Sequence, residues 1–405
     1  MSVENNVPEI RFKGFSGEWV EKPLNHEVEL FSGLTYSPKD IRKQGVFVIR
    51  SSNVKNGQIV QADNVYVNPE VVNCSNVQKG DIIVVVRNGS RALIGKHAQV
   101  NSLMDNTVIG AFMTGVRAGH PEFINALFDT DKFTAQVEKN LGATINQITN
   151  GAFNGMVFMF PEGQEQTAIG NTFQKLDSLI NQHQKKHDKL SNIKKAMLEK
   201  MFPKPGETTP EIRFKGFSGE WVEKPLNHEV ELFSGLTYSP KDIRKQGVFV
   251  IRSSNVKNGQ IVQADNVYVN PEVVNCSNVQ KGDIIVVVRN GSRALIGKHA
   301  QVNSLMDNTV IGAFMTGVRA GHPEFINALF DTDKFTAQVE KNLGATINQI
   351  TNGAFNGMVF MFPEGQEQTA IGNTFQKLDS LINQHQQQIT KLNNIKQACL
   401  SKMFV

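Results

Sequence analysis

Apolar positions along this 405-residue chain change their period twice, and the change divides each half of the chain into two parts. Up to about residue 160 they come in short β-branched runs. Val46–Arg50 and Asp81–Arg87, bounded by Gly and Asn, predict buried strands. Ile94–Val100, Thr107–Phe112 and Met156–Phe160 predict further strands, separated by the turn signals Lys55-Asn56-Gly57, Lys79-Gly80-Asp81 and Asn88-Gly89-Ser90. Pro121 opens a helical stretch to about Leu141, closed by Gly142. Strands followed by a helix predict a compact α+β body.

After Pro161 the spacing becomes heptad. Ile169, Phe173, Leu176, Ile180, His183, His187 and Leu190 alternate by four and three, and Ile193 or Lys194, Met197 and Met201 continue the seam. The same seam returns as Ile371, Phe375, Leu378, Ile382, His385, Ile389 and Leu392. Each helix needs a partner to cover its seam, and the nearest partner is the other one.

The chain is a tandem repeat. Every residue from Pro8 to Gln184 recurs unchanged from Pro210 to Gln386, after which the tails diverge: Lys185-Lys186-His187-Asp188 faces Gln387-Gln388-Ile389-Thr390. One body copied into a gene that already held two diverged tails explains the contrast. The expected domains are a first body over 1–160, its helix over 161–202, a linker over 203–209, a second body over 210–362 and its helix over 363–405. A helix over Gln166–Phe202 holds 37 residues, about 55 Å, whereas the seven linker residues reach at most about 25 Å. Parallel helices would need a longer linker. The expected architecture is therefore α+β, with two β-rich bodies at opposite ends of an antiparallel two-helix coiled coil.

Composition narrows the function. A content of 40% hydrophobic and 20% charged residues disfavours disorder, no run approaches a membrane span, and Met1–Pro8 is too polar for a signal peptide. Three cysteines make no disulfide framework, so a reducing cytoplasm is expected. Each identical unit carries 16 Lys+Arg against 17 Asp+Glu, so net charge names no partner. The charges nevertheless separate. Lys39, Arg42, Lys43, Arg50 and Lys55 face Asp40 alone, and Lys79, Arg87, Arg91 and Lys96 face Asp81 alone. Interleaved with Tyr36, Ser51, Ser52, Asn53, Asn56 and Asn88, these two loops have the donors for phosphates and base edges.

Catalytic patterns do not emerge. Gly89–Gly95 has five residues between its glycines where a phosphate loop has four, and His97 stands where Ser or Thr would hold magnesium. It predicts strand–turn–strand. Neither a dinucleotide fingerprint nor His-Glu-x-x-His nor Asn-Pro-Pro-aromatic occurs. No metal is expected; His183 and His385 on the seam are expected to set its register.

In order, these marks resemble the DNA-specificity subunit of type I restriction–modification systems. The opening Pro8-Glu-Ile-Arg-Phe-Lys-Gly-Phe-Ser-Gly-Glu-Trp19, the Lys79-Gly-Asp-Ile-Ile83 strand and Gly142-Ala-Thr-Ile-Asn-Gln147 are similar to its recognition domain. Pro161, Glu165, Gln166, Ile169 and Gly170, leading to Lys200-Met201-Phe202, resemble its helical region, repeated at Pro363, Glu367, Gln368, Ile371 and Lys402-Met403-Phe404. The resemblance implies a non-catalytic subunit on double-stranded DNA. Two methyltransferase subunits would clasp its helices, restriction–translocase subunits would join, and S-adenosylmethionine would be bound by the methyltransferases rather than by this chain. Members usually carry two different recognition domains. Two identical ones predict a split palindromic site. Arg50, Lys55, Arg87 and Arg91 are the first candidates for DNA contact, with Tyr36, Lys39, Asn53, Asn88, Asn146 and Gln147 beside them. Their copies are Arg252, Lys257, Arg289, Arg293, Tyr238, Lys241, Asn255, Asn290, Asn348 and Gln349. A free-standing two-headed regulator is the alternative; against it stands the near-zero charge of each head.

Overall fold

A computed structural model describes residues 6–142, 146–343 and 348–405. In the first repeat the strands are β1 (Val20–Pro23), β2 (Val28–Ser32), β3 (Ile41–Arg42), β4 (Val46–Ile49), β5 (Val54–Lys55), β6 (Gln58–Ile59), β7 (Val65–Val67), β8 (Ile82–Val85), β9 (His97–Gln99), β10 (Thr107–Ile109) and β11 (Met113–Ala118). Helices α1 (Pro121–Phe128), α2 (Asp131–Asn140) and α3 (Asn150–Asn154), strand β12 (Val157–Phe160) and the long α4 (Gly163–Lys200) follow. The second repeat recurs from Val222–Pro225 to Val359–Phe362, with α5 (Pro323–Phe330), α6 (Asp333–Asn342), α7 (Asn352–Asn356) and α8 (Gly365–Met403).

Both runs singled out for their β-branched residues are central strands buried along their whole length. β8 lies between β11 and β9 in the order β2-β11-β8-β9, and β4 lies between β10 and β7 in the order β10-β4-β7-β3. A strand covered on both faces reads as a continuous apolar run. Gly115 of β11 is required by packing: a Cβ there would stand 2.0 Å from the Phe31 ring. That ring in turn carries the Arg117 guanidinium, which grips buried Asp81 through bonds of 2.9 and 2.8 Å.

The expected single helix from Pro121 to Leu141 is two. Thr130 interrupts it, its hydroxyl donating to the Leu127 carbonyl at 2.6 Å and accepting from the Phe133 amide at 3.3 Å, which caps α2. The cap turns the chain so that Phe128 stacks on Phe133, centroids 4.3 Å apart. The Gly89–Gly95 segment forms a 3-10 turn between β8 and β9, as strand–turn–strand requires. Gly95 packs against Val137 and Phe133, away from any phosphate-binding geometry.

Compact units divide inside the long helices. Unit 1 comprises Met1–Gln184 and Gln387–Val405, and unit 2 comprises Lys185–Gln386. Each body is thus completed by the first half of its own helix and the last half of the other repeat's. In unit 1, Phe404 packs against Trp19, Phe123 and Phe173, and Lys396 bonds Asp129 and Asp177 at 2.6 and 2.5 Å. Phe173 meets residue 404 while Asp177 meets residue 396, so the two segments run antiparallel. In unit 2, Phe202 packs on Trp221, Phe325 and Phe375, and Lys194 bonds Asp331 and Asp379.

Ile169 and Phe173, with Ile371, Phe375 and, further along, Ile389, are buried, whereas Leu176, Ile180, His183, Leu190, Leu378, Ile382, His385 and Leu392 are half-buried. At the position left open between Ile193 and Lys194, the lysine makes the buried contact and Ile193 stands exposed. Burial works against ionising Asp129, yet His97, 3.4 Å away, and Lys396 outweigh it and hold the carboxyl at about 2. Burial raises Asp177 above its ordinary value, opposed by Lys396.

Candidate nucleic-acid interface

Three strand ends converge on one loop cluster in each body. β4 and β10 are parallel neighbours, so their carboxyl ends, leading to Arg50 and to Phe112, lie on the same side. The end of β8 joins them where the Val86 and Arg87 amides both donate to the Phe112 carbonyl, at 3.1 and 3.2 Å. Gln147 bridges the backbone of Arg87.

The cluster is cross-linked by polar side chains. Asn88 donates to the Ser51 hydroxyl at 3.1 Å and caps its own turn by accepting from Ser90. Asn146 donates to the Gly89 carbonyl at 3.0 Å, and its own carbonyl accepts from the Asn88 amide. Residues 143–145 and 344–347, the middle of the Gly142–Gln147 motif and most of its copy, lie outside the described residues. Arg87 stacks on the Phe112 ring, with its guanidinium carbon 4.9 Å from the centroid. Arg91 is exposed on the 3-10 turn that follows.

The sequence-derived candidates therefore separate. Arg50, Arg87, Asn88, Arg91, Asn146 and Gln147 come together. The guanidinium of Arg50 is already engaged by the Asp63 carboxylate at 2.7 Å and by that residue's carbonyl. Lys55 is exposed on the β5–β6 hairpin, whose turn is made by Asn56 and Gly57 at φ 51° and 69°.

Asn53 takes a structural place. Completely buried, it accepts from the Arg50 amide at 3.0 Å and donates to the Ala62 and Val60 carbonyls at 2.7 and 3.2 Å, so its amide cannot reach a base. Tyr36 packs on a small apolar cluster with Leu34, Val46 and Cys74, and Lys39 stands exposed on the 3-10 turn Pro38–Asp40 before edge strand β3. Nor do the two basic runs form one face: Lys79 and Arg87 flank opposite ends of β8.

The second body repeats this geometry. Arg289 stacks on Phe314 at 4.9 Å and is bridged by Gln349; Asn290 bonds Ser253 and Asn348 bonds Gly291; Arg252 is held by Asp265 and Asn255 is buried. Tyr238, Lys241, Lys257 and Arg293 have the same settings as their counterparts.

Phe112 is the residue that sequence reasoning missed. As the apolar end of an expected strand it reads as core, yet it is 52% exposed. Its signal was position: β10 ends at Ile109, so Phe112 falls in the loop beyond.

Among the described residues there is no group of three or more His, Cys, Asp or Glu placed to hold a metal ion, and no helix long and apolar enough to cross a membrane.

The family model for the type I restriction modification DNA specificity domain matches residues 16–192 and 218–394. The chain is 24% identical over 413 residues to the type I restriction enzyme EcoKI specificity subunit of Escherichia coli K12, covering 95% of this chain and 88% of that protein. To the StySPI specificity subunit of Salmonella potsdam it is 23% identical, with the same coverage. The fold is similar to that of the type I restriction–modification S subunit from M. genitalium, with TM-score 0.66 and 14% identity over 98% of this chain and 99% of that one. With one match on each repeat, the chain belongs to the DNA specificity family of type I restriction–modification systems, and its function is to recognise a DNA target.

Proposed function

We propose that this chain directs methyltransferase and restriction–translocase subunits, in the cytoplasm, to a bipartite target made of one half-site and its inverted copy. The observation that carries the palindrome is reciprocal exchange. Two identical bodies each receive the other repeat's helix end through equivalent contacts, Phe404 on Phe173 and Phe202 on Phe375. Because the two bodies are identical in sequence from Pro8–Gln184 to Pro210–Gln386, both take the same half-site, and the palindromic reading adds that its second copy is inverted. Within each body, Arg50, Lys55, Arg87, Asn88, Arg91, Asn146 and Gln147 are the proposed DNA-contacting set, with Arg suited to guanine edges and Lys to phosphates. Two methyltransferase subunits bind along α4 and α8, and S-adenosylmethionine belongs to them.

The experiment is long-read methylation profiling of DNA from cells expressing this chain with its methyltransferase. A bipartite consensus whose halves are inverted complements is expected; unlike halves would overturn the palindrome. A free-standing regulator would mark no DNA and would not co-purify with a methyltransferase.

A further inference from the structure

We infer that Arg87 and Phe112, with their copies Arg289 and Phe314, act as one reading unit that recognises a thymine next to a guanine in each half-site: Phe112 contacts the thymine methyl and Arg87 the guanine edge. The inference rests on the DNA-recognition reading above and names the bases that this site takes. Among the described residues, Phe112 and Phe314 are the only phenylalanines more than a third exposed. The half-exposed ring closes the short Gly110-Ala111-Phe112 loop beside the polar Asn88-Gly89-Ser90-Arg91 turn, where it is available for a contact outside the chain.

The stacked guanidinium decides which contact. With Arg87 over one face at 4.9 Å, the ring cannot slide between base pairs, because a wedge needs both faces free to stack. What remains is its edge and outer face, an apolar surface suited to the thymine C5-methyl, the apolar feature of the major groove. The aromatic ring in turn limits the conformations of Arg87 while occupying none of its N–H donors. A fork bonds guanine O6 and N7 together. The 4.9 Å separation is nearer to one base-pair rise of about 3.4 Å than to two, about 6.8 Å, which favours contacts on adjacent pairs. Backbone bonds from Val86 and Arg87 to the Phe112 carbonyl hold the two loops in register, so the pair is set before DNA arrives.

The test uses the full chain with its methyltransferase. The wild-type consensus should contain a T·A pair next to a G·C pair in each half-site. The F112A/F314A variant should lose discrimination at the T·A position and keep a weakened preference for the guanine, because Arg87 then lacks the ring that positions it. On duplex oligonucleotides, replacing that thymine by uracil removes only the methyl. It should weaken wild-type binding about three- to tenfold, the value of one buried methyl, and leave the variant's binding unchanged. The F112L/F314L variant, which keeps apolar contact, should retain the sensitivity to uracil. A wild-type consensus without adjacent T and G, or equal uracil sensitivity in wild type and the alanine variant, overturns the assignment. Absence of any methylated consensus with the wild-type chain would overturn DNA recognition itself, which distinguishes the two failures.

Discussion

The Arg11 guanidinium reaches Glu165, 154 residues later, through two bonds of 2.7 and 2.6 Å, and its remaining donors close on the Gly17 and Ser16 carbonyls. This is why the opening Pro8–Trp19 motif and the Glu165-Gln166 motif occur together: one supplies the cation and the other the buried anion at the start of α4. Removing one partner leaves a charge stranded. R11M should destabilise unit 1 by about 3–5 kcal/mol in urea unfolding, and the R11M/E165M pair should recover most of that loss. A double variant no more stable than R11M would show that the pair does not act as a unit.

Acid should weaken the helix dock. The folded carboxyl of Asp129 titrates at about 2, below its ordinary 3.8, so its contribution is complete above about pH 4 and lost as pH falls toward 2. The shift corresponds to about 2 kcal/mol at neutral pH. Asp177 is shifted upward, so its contribution runs the other way and offsets part of the acid loss. Urea unfolding of wild type and D129N at several pH values should show their difference shrinking between pH 4 and 2; a constant difference would refute the assignment.

Phe404 and Phe202 should each control one unit. F404A removes a ring packed among Trp19, Phe123 and Phe173 and should cost about 3–5 kcal/mol. Hydrogen exchange should accelerate in residues 6–142 and stay nearly unchanged in 210–343. F202A should reverse the pattern.

The arginines make a separate prediction. R87A/R289A should weaken specific DNA binding by about 1–3 kcal/mol per half-site and relax the consensus at one position in each half, without changing the unfolding midpoint. A consensus identical to wild type would remove both residues from the reading set.

The duplication, the two central strands and the long helices were legible because each is a local pattern: identity, a β-branched run, a heptad. The helix break at Thr130 was not, since Ile124, Leu127 and Val137 keep helical spacing on both sides of a cap made by one hydroxyl. Asn53 read as a solvated amide because the loop that buries it, through Val60 and Ala62, is irregular and has no period. Lys194 and Ile193 compete for the same seam position, and only the acids opposite, Asp331 and Asp379, decide it. Arg87 was named from charge alone; its partner Phe112 was hidden by its hydrophobicity.

Reciprocal helix exchange also has a consequence for biosynthesis. When residue 184 leaves the ribosome, the surface around Trp19, Phe123 and Phe173 still lacks Phe404, which emerges some 200 residues later, about 10–40 s at ordinary elongation rates. The second-repeat body meets no such delay, because residues 185–202 precede it. Once the residues up to Gln386 have emerged and before Phe404 does, the chain should therefore hold its later body closed and its earlier one open, making the older part the natural client for chaperones.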